Sequence, residues 1–338
     1  MLTIPAEEEP PPNRDSTIVI IEDLSICEHL WSDFVKSEQL LDTWEFRILF
    51  TQSIGAKPYF ITLLKHNLFW GVIPLEYLSG KDKYYAFGGG IWNEYNALYI
   101  GNHLTHKEWK VLKNKIPKNS DIKYLKKDYL NLSIGLSTSE PSYYLDIPID
   151  SLNLDFFFNR FSGKSRRKLQ QKMRKIEGAG IEVEKVDYDA NGIIEDYSCQ
   201  HFGDESTFRQ IKFRDFLNNL NSSSFNIINL VFTQHRKIVG AAFAIFHNNI
   251  FYAMSVGYDS QIKDIGKYIN YFEIDYARRI GANRINFFAD DCGWKELWGL
   301  QKDMLYKYEL DDKKLVHAQK YSEFTLMNMN ASNEILNN

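Results

Sequence analysis

The most constraining feature of this chain is a run of closely spaced elements in its C-terminal half. Three strand-like segments at about 225–233, 237–247 and 250–257 are followed by a helical pattern at about 266–280 and a strand at 284–289. Strands joined by tight turns pair antiparallel, whereas a strand, a helix and a further strand form a crossover with parallel strands. The sequence therefore predicts a mixed sheet that contains one β–α–β crossover.

The N-terminal half has weaker patterns of the same kind. An amphipathic helix is predicted near 27–42, and strand-like runs at 58–65 and 68–77 are joined by a turn at His66-Asn67. Aromatic residues are frequent here, and a Gly88–Gly90 run follows a further strand at 84–87. The aromatic side chains fit either a core or the lining of a sugar- or peptide-binding cleft.

Length and pattern together predict an α/β (α+β) protein with two domains. At 338 residues the chain exceeds one small domain. We expect an N-terminal domain at 17–150 and a C-terminal domain at 151–325, with a flexible leader at 1–16 and a flexible tail at 326–338.

Composition excludes several classes of protein. Apolar residues make up 44% of the chain and aromatic residues 15%, which excludes wholesale disorder, and the net charge of −4 argues against a globally basic nucleic-acid binder. Cys27, Cys199 and Cys292 are few and far apart, so neither a metal site nor a disulfide framework is predicted. No apolar run approaches the roughly 20 residues of a membrane span, and the N-terminus lacks a signal-peptide pattern. We therefore expect a cytoplasmic protein without a metal.

The link between the strand at 250–257 and the helix at 266–280 predicts an anion site. The first backbone N–H groups of a helix have no partner within the helix, and the helix dipole adds positive potential there. Both features suit a pyrophosphate. The plain alternative is an ordinary strand-to-helix turn.

The same segment resembles the donor loop of the GNAT acyltransferase superfamily, Gln/Arg-x-x-Gly-x-Gly/Ala. The chain has Gln261-Ile262-Lys263-Asp264-Ile265-Gly266, so that Gln261 and Gly266 match the loop and Asp264 replaces its first glycine. A carboxylate beside a pyrophosphate is unfavourable unless it points away or meets Lys263 or Lys267.

A wider resemblance covers about 143–300 and points to the two-domain GNAT subfamily of the Fem peptidyltransferases and the CelD-like acyltransferases. It is carried by Leu145-Asp146-Ile147-Pro148 before a basic helix, by the segment His201–Ser206, and by Ile280-Gly281-Ala282 followed later by Trp294-Lys295. The resemblance implies tandem GNAT-like domains, each a mixed, mostly antiparallel sheet flanked by helices, the first a degenerate copy. It also implies acyl-CoA as co-substrate, bound by Ser255, Val256, Gly257, Tyr258, Gln261, Lys263, Ile265, Gly266, Lys267 and Tyr268.

Acylation of an amine from a thioester requires an oxyanion donor, a base and an acid. By resemblance, the oxyanion donor is a backbone N–H within Ser255–Tyr258, although Gly257 is equally explained by packing. Candidate bases are Asp290, with Asp291, at the end of a strand and His201 and Glu205, with Asp204, in a loop; each is also a common type of cap or solvated group. Many GNAT enzymes use a tyrosine as the acid, and Tyr306 and Tyr308 are the nearest candidates.

The basic helix, predicted at 163–178, has three interpretations. It carries Lys164, Arg166, Arg167, Lys168, Lys172, Arg174 and Lys175 around an apolar stripe of Leu169, Met173 and Ile176. The charges form a solvated face, hold the 3′-phosphate of a coenzyme, or contact tRNA as the Fem resemblance suggests.

Three functional hypotheses remain open on the sequence. The first is an acyl-CoA-dependent N-acyltransferase that modifies an amine on a small molecule, a sugar or a peptide. The second is a Fem-type transferase that uses aminoacyl-tRNA, although the chain shows no long helical arm of the kind that Fem enzymes insert. The third is a non-catalytic binding protein on a degenerate GNAT scaffold, motivated by Asp264 and by the missing tyrosine between 290 and 300.

Overall fold

A computed structural model describes residues 16–89, 94–126, 135–210, 213–289 and 293–309. Several predictions lie outside these ranges and are not addressed by the structure. They are most of the leader at 1–16, the tail at 326–338, and the residues Asp290, Asp291 and Cys292.

The first half builds a sheet whose described strands are β1 Ser16–Ile21, β2 Lys57–Lys65, β3 Leu68–Leu78, β4 Lys83–Ala86, β5 Ile100–Gly101 and β6 Ser120–Asp121. These six strands are arranged in the order β1-β2-β3-β4-β6, with β5 also paired to β3. All pairs are antiparallel except β4 with β6. The helices of this half are α1 Leu24–Phe34, α2 Trp44–Ser53 and α3 His106–Lys113.

The prediction of one helix near 27–42 is wrong in extent, because the helix α1 ends at Phe34. The prediction also did not include the second helix, α2. The chain folds back after Phe34, because the indole N–H of Trp31 donates to the carbonyl of Asp42 at 2.8 Å. The hydroxyl of Thr43 then accepts the backbone N–H of Phe46 and caps α2. The apolar residues at 40 and 41 therefore lie in a short 3-10 turn between two helices.

The second half builds the predicted mixed sheet. Its described strands are β7 Leu136–Asp146, β8 Ile181–Val186, β9 Asn226–Gln234, β10 Lys237–His247, β11 Ile250–Tyr258, β12 Arg284–Phe288 and β13 Gln301–Tyr308. They are arranged in the order β13-β7-β12-β11-β10-β9-β8. Among these described strands, only β11 and β12 pair in parallel. The helices are α4 Asp155–Phe158, α5 Gly163–Glu177, α6 Asn191–Phe202, α7 Thr207–Gln210, α8 Phe213–Asn221 and α9 Ile265–Arg279. This confirms the predicted α/β fold with two sheets flanked by helices.

Tight two-residue turns fix the register of the antiparallel strands. Both central residues have positive φ in each turn, as a type I′ hairpin requires. The turns are His66-Asn67 with φ of 50° and 62°, His235-Arg236 with 50° and 65°, and Asn248-Asn249 with 47° and 60°. The register places alternate side chains of β10 and β11 on opposite faces of the sheet, so that each face carries a core.

The two halves share one of these cores. One face of the second sheet is covered by α5 and α9, and the other by α6, α8 and, from the first half, α2. The ring of Phe216 on α8 lies 5.6 Å from Phe46 and 5.2 Å from Phe50 on α2. The hydroxyl of Tyr252 accepts the N–H of Leu40 at 3.1 Å. Strand β7 precedes the domain boundary that we predict at 150, yet it lies within the second sheet.

Across the described ranges, no helix combines the length and apolarity needed to cross a lipid bilayer. Nor do three or more His, Cys, Asp or Glu side chains of these ranges converge into a group that could hold a metal ion.

Candidate active site

The parallel strands β11 and β12 separate after a short contact. They pair only between Ile250–Tyr252 and Arg284–Asn286, although β11 continues to Tyr258. Beyond Tyr252, this edge of β11 pairs with no strand in the described part of the chain. The result is a wedge-shaped opening lined on one side by backbone groups that are available to a ligand.

Irregularities in both strands accompany this separation. On β11, Ala253 pairs with Ala244 and Ser255 with Phe243, which leaves a bulge at Met254. On β12, the register with β7 shifts between Asn286 and Phe288, and Phe288 has a φ of 61°. Bulges re-aim a strand locally, so the opening is built into the backbone of both strands.

The N-terminus of α9 lies at the end of β11, where the donor loop was predicted. The carboxylate of Asp264 does not cap the helix; it accepts hydrogen bonds from the ammonium groups of Lys267 at 2.9 Å and Lys172 at 3.2 Å. The bond with Lys267 is the main cause that lowers the pKa of Asp264. Among the described residues, no protein acceptor meets the backbone N–H groups of Gly266 and Lys267. The departure from the GNAT loop thus leaves the helix N-terminus open.

Gly266 also makes room for an aromatic ring. A Cβ at this position would lie 2.6 Å from the ring of Tyr258, so the ring rests directly against the glycine. The imidazole of His201, exposed at the end of α6, lies 6.2 Å from the Tyr258 ring and 4.5 Å from that of Phe202. The structure therefore brings His201, Tyr258 and Gly266 together at the predicted donor site.

Gly257 has a packing role. A Cβ there would lie 2.6 Å from both the Cα and the carbonyl oxygen of Ile194, because α6 crosses β11 at this point. Its neighbours Ser255 and Val256 are half-buried along the edge of the opening.

The remaining predicted donor residues fall into two groups. Gln261 and Lys263 are exposed in the loop, and the N–H of Gln261 donates to the Asp259 carboxylate at 3.0 Å. Ile265 and Tyr268 are buried in the core beneath α9, and burial raises the pKa of Tyr268 to about 12. Only the backbone of these two residues could contact a donor.

The predicted acid lies apart from this cluster. Tyr306 is in β13, which β7 and β12 separate from β11. Its backbone N–H donates to Leu125 at 3.0 Å, and its side chain packs against the core of the first sheet. Glu205 lies exposed in the turn after α6, next to Asp204, which pairs with Arg209.

The structure reveals a carboxyl group that the sequence analysis missed. Glu94, from the first half, is 4% exposed, and one of its carboxylate oxygens accepts the N–H of Ala289, directly after β12. Burial raises its pKa to about 7, against the opposing effects of Ser142, the Ala289 N–H and Lys295. Glu94 therefore lies at the end of β12, the strand that separates from β11 after Asn286.

Two buried cations, Lys295 and Arg47, bind the backbone at the end of β12 and around Glu94. The ammonium of Lys295 donates to the carbonyls of Phe287, Phe288 and Ala289 at 2.8, 3.0 and 2.6 Å. It fixes the end of β12 where the strand turns away from β11.

Arg47 of α2 fixes the segment that carries Glu94. Its guanidinium donates to the carbonyl of Phe87 at 2.9 Å and to the side-chain oxygen of Asn96 at 2.6 Å. It also reaches the carbonyls of Glu94 and Tyr95, at 3.4 and 3.3 Å. Five donors in a rigid fork allow one side chain to clamp both flanks of the segment.

Comparisons with known proteins show what part of the sequence and the fold as a whole are similar to. Residues 163–296 match the family model described as an acetyltransferase (GNAT) domain. A search of curated proteins finds no match.

Solved structures with the same fold cover nearly the whole chain. L-PGS from Bacillus licheniformis aligns with a TM-score of 0.52 at 11% identity, over 90% of this chain and 96% of that one. FemX aligns with a TM-score of 0.51 at 12% identity, over 88% and 99%. A tandem GNAT protein from the clavulanic acid biosynthesis pathway aligns with a TM-score of 0.50 at 7% identity, over 88% and 99%. Residues 163–296 are therefore similar to a GNAT acetyltransferase domain, and the chain as a whole shares its fold with FemX and with a tandem GNAT protein.

Proposed function

We propose that the protein is an N-acyltransferase that moves an acyl group from acyl-CoA to an amine by direct attack on the thioester. One observation carries the proposal. The opening between β11 and β12 has an uncapped helix N-terminus at the end of one strand and a buried carboxyl group at the end of the other. An acyl donor and an amine would meet between them.

The donor would bind with its pyrophosphate at the start of α9. The open N–H groups of Gly266 and Lys267 and the helix dipole favour an anion there. Lys172 and Lys267 offset the charge of Asp264, so the carboxylate does not repel the phosphates. The pantetheine arm would then enter the opening along the free edge of β11.

The reaction requires removal of a proton from the acceptor ammonium. Glu94 would accept it, since a carboxylate with a pKa of about 7 is half ionised near neutral pH and basic enough to act. The amine nitrogen then attacks the carbonyl carbon, and a backbone N–H within Ser255–Tyr258 would stabilise the oxyanion.

Collapse of the tetrahedral intermediate completes the transfer. The carbon–sulfur bond breaks, the amide forms, and the coenzyme leaves as a thiolate. The nitrogen then loses its second proton, and the thiolate gains one. The products are an amide and free CoA. The first proton remains on Glu94 until it exchanges with solvent. Two protons leave the ammonium in all, and each has a stated destination.

The acceptor is proposed only as a class: an amine on a small molecule, a sugar or a peptide. The location is proposed to be the cytoplasm. Both rest on the sequence interpretation.

A Fem-type transfer from aminoacyl-tRNA is the second candidate. The many cations of α5 favour it, because a basic helix beside a donor site suits nucleic acid. A non-catalytic binding protein is the third, although Asp264, one of its two motives, leaves the α9 N-terminus open.

Calorimetry with acetyl-CoA and longer acyl-CoA donors tests the first proposal, together with release of free thiol in the presence of an amine. Gly266→Val should abolish donor binding, since the new side chain meets the Tyr258 ring. Gly163→Val is the matched control, because a Cβ there has open space and should leave binding unchanged. Failure of every acyl-CoA to bind at millimolar concentration would reject the proposal. Binding of charged tRNA at low salt would then support the Fem-type transfer.

A further inference from the structure

We infer that a row of lysines on α5 binds the 3′-phosphate of the donor's coenzyme A. This lysine row consists of Lys164, Lys168, Lys172 and Lys175. The inference rests on the proposed function, because it assigns a second phosphate subsite of the same donor.

Helical spacing places the four lysines on one face of α5. They are four, four and three residues apart, and residues at such spacing lie above one another on a helix. At 1.5 Å per residue the row spans about 16 Å. Leu169, Met173 and Ile176 form the buried stripe of the same helix, so the lysine row lies beside the core-facing side.

One member shows which way the row faces. The ammonium of Lys172 lies 3.2 Å from the carboxylate of Asp264, immediately before α9. Lys168 is one helical turn away, about 6 Å along the axis. The row therefore passes beside the proposed pyrophosphate site, with Lys175 on one side of Lys172 and Lys168 and Lys164 on the other.

The remaining lysines of the row have no protein counter-charge. Within the part of the chain that the structure describes, Lys164, Lys168 and Lys175 form no ion pair within 4.0 Å. A helix face that is merely solvated usually interleaves acids with its cations, whereas the single acid of α5 is Glu177, at its last residue. Like charges at this spacing weaken a helix by a few tenths of a kcal/mol per pair, and a bound dianion would relieve that repulsion.

The chemistry of the donor matches this arrangement. In coenzyme A, the ribose carries the pyrophosphate on its 5′ side and a phosphate on its 3′ side. A pyrophosphate at Gly266 thus puts a second anion one sugar away, within reach of a lysine side chain on the next turn of α5. Lys168 is the residue we assign to it.

Dephospho-CoA, which lacks the 3′-phosphate, isolates this contact. Wild-type protein should bind CoA about tenfold more tightly than dephospho-CoA, as expected for one charge-assisted contact at a partly exposed site. Lys168→Glu should abolish the preference while leaving dephospho-CoA affinity within about twofold. Arg167→Glu is the matched control: it makes the same change of charge on an exposed residue outside the row and should keep the preference.

Each result has a distinct meaning. Equal affinity of the wild type for both nucleotides, or a preference that survives in Lys168→Glu, would overturn the inference while leaving the proposed donor intact. If the wild type binds neither CoA nor dephospho-CoA, the proposed function itself is rejected. If Lys168→Glu instead weakens binding of a single-stranded RNA oligonucleotide and the preference for CoA is unchanged, the row serves nucleic acid and the inference is wrong.

Discussion

The carboxylate of Glu94 accepts the backbone N–H of Ala289, a residue 195 positions later in the chain. This bond joins the first half to the end of β12, where the second sheet opens. The proposed acyl transfer therefore takes its base from one half and its donor site from the other. In that arrangement, activity requires the two halves of the chain to keep their relative position.

Replacing Glu94 by Gln should remove the base but preserve the packing. The amide oxygen can still accept the Ala289 N–H, and the side chain keeps its volume. We expect kcat to fall about 100-fold or more, as is usual for loss of a general base, with little change in donor affinity. Steady-state kinetics together with calorimetry for acyl-CoA would measure both.

The exposed Glu184 on β8 provides the control for this change. Glu184→Gln should keep kcat within about twofold. If Glu94→Gln is as active as this control, another group or solvent removes the proton, and the assignment of Glu94 is wrong.

The pH dependence of the reaction should report the same carboxyl group. Because only the ionised form can accept a proton, kcat/KM should rise with pH through a midpoint near 7 and level off about one pH unit higher. The nearby charge of Glu140 raises the pKa of Glu94, so Glu140→Gln should move the midpoint to lower pH. The rise should be absent from the pH profile of Glu94→Gln, and a rise that keeps its midpoint near 7 in that variant would assign the ionisation to a different group.

Much of the second sheet could be predicted from sequence, for a local reason. The strands and the helix after β11 are punctuated by residues that act through their own backbone, such as Asn248-Asn249 with positive φ and Gly281 with a φ of 82°. The prediction of secondary structure failed where an element is determined by a tertiary contact and not by a local sequence pattern. The helix expected at 27–42 is interrupted because Trp31 and Asp42 hydrogen-bond across the turn, a contact that no periodicity encodes.

The candidate site likewise contains residues that could be predicted from sequence and one that could not. Gly266 and Tyr258 could be proposed from the strand–loop–helix pattern, and the structure places them in contact. Glu94 could not, because burial raises its pKa, and its partners Ser142, Ala289 and Lys295, which oppose that rise, are all distant from it in sequence. Its only local signal was an acid in an aromatic, glycine-rich stretch, which also fits a turn.

Substitution of Gly257 tests how closely α6 packs on β11. In Gly257→Ala, the new methyl group would press on the Ile194 backbone at 2.6 Å, which a helix cannot relieve by a side-chain rotation. We expect the free energy of unfolding to fall by about 1–3 kcal/mol. Gly192→Ala, in α6 itself with open space around it, should instead raise it by up to about 1 kcal/mol. Urea unfolding of both variants gives the comparison, and equal stabilities would show that α6 does not approach β11 so closely.

Glu273, on α9, should make the protein less stable as the pH rises. It is fully buried, neither carboxylate oxygen has a hydrogen-bond partner among the described residues, and burial raises its pKa from 4.5 to about 8. Between these values the folded state keeps a proton that the unfolded state has lost, so the free energy of unfolding falls with rising pH. In Glu273→Gln this contribution disappears, and the stability of the variant relative to wild type should increase steadily from about pH 5 to pH 8. Urea unfolding across that range measures the trend, with Glu184→Gln as the exposed control. Parallel curves for Glu273→Gln and wild type would mean that Glu273 has a partner that stabilises its charge.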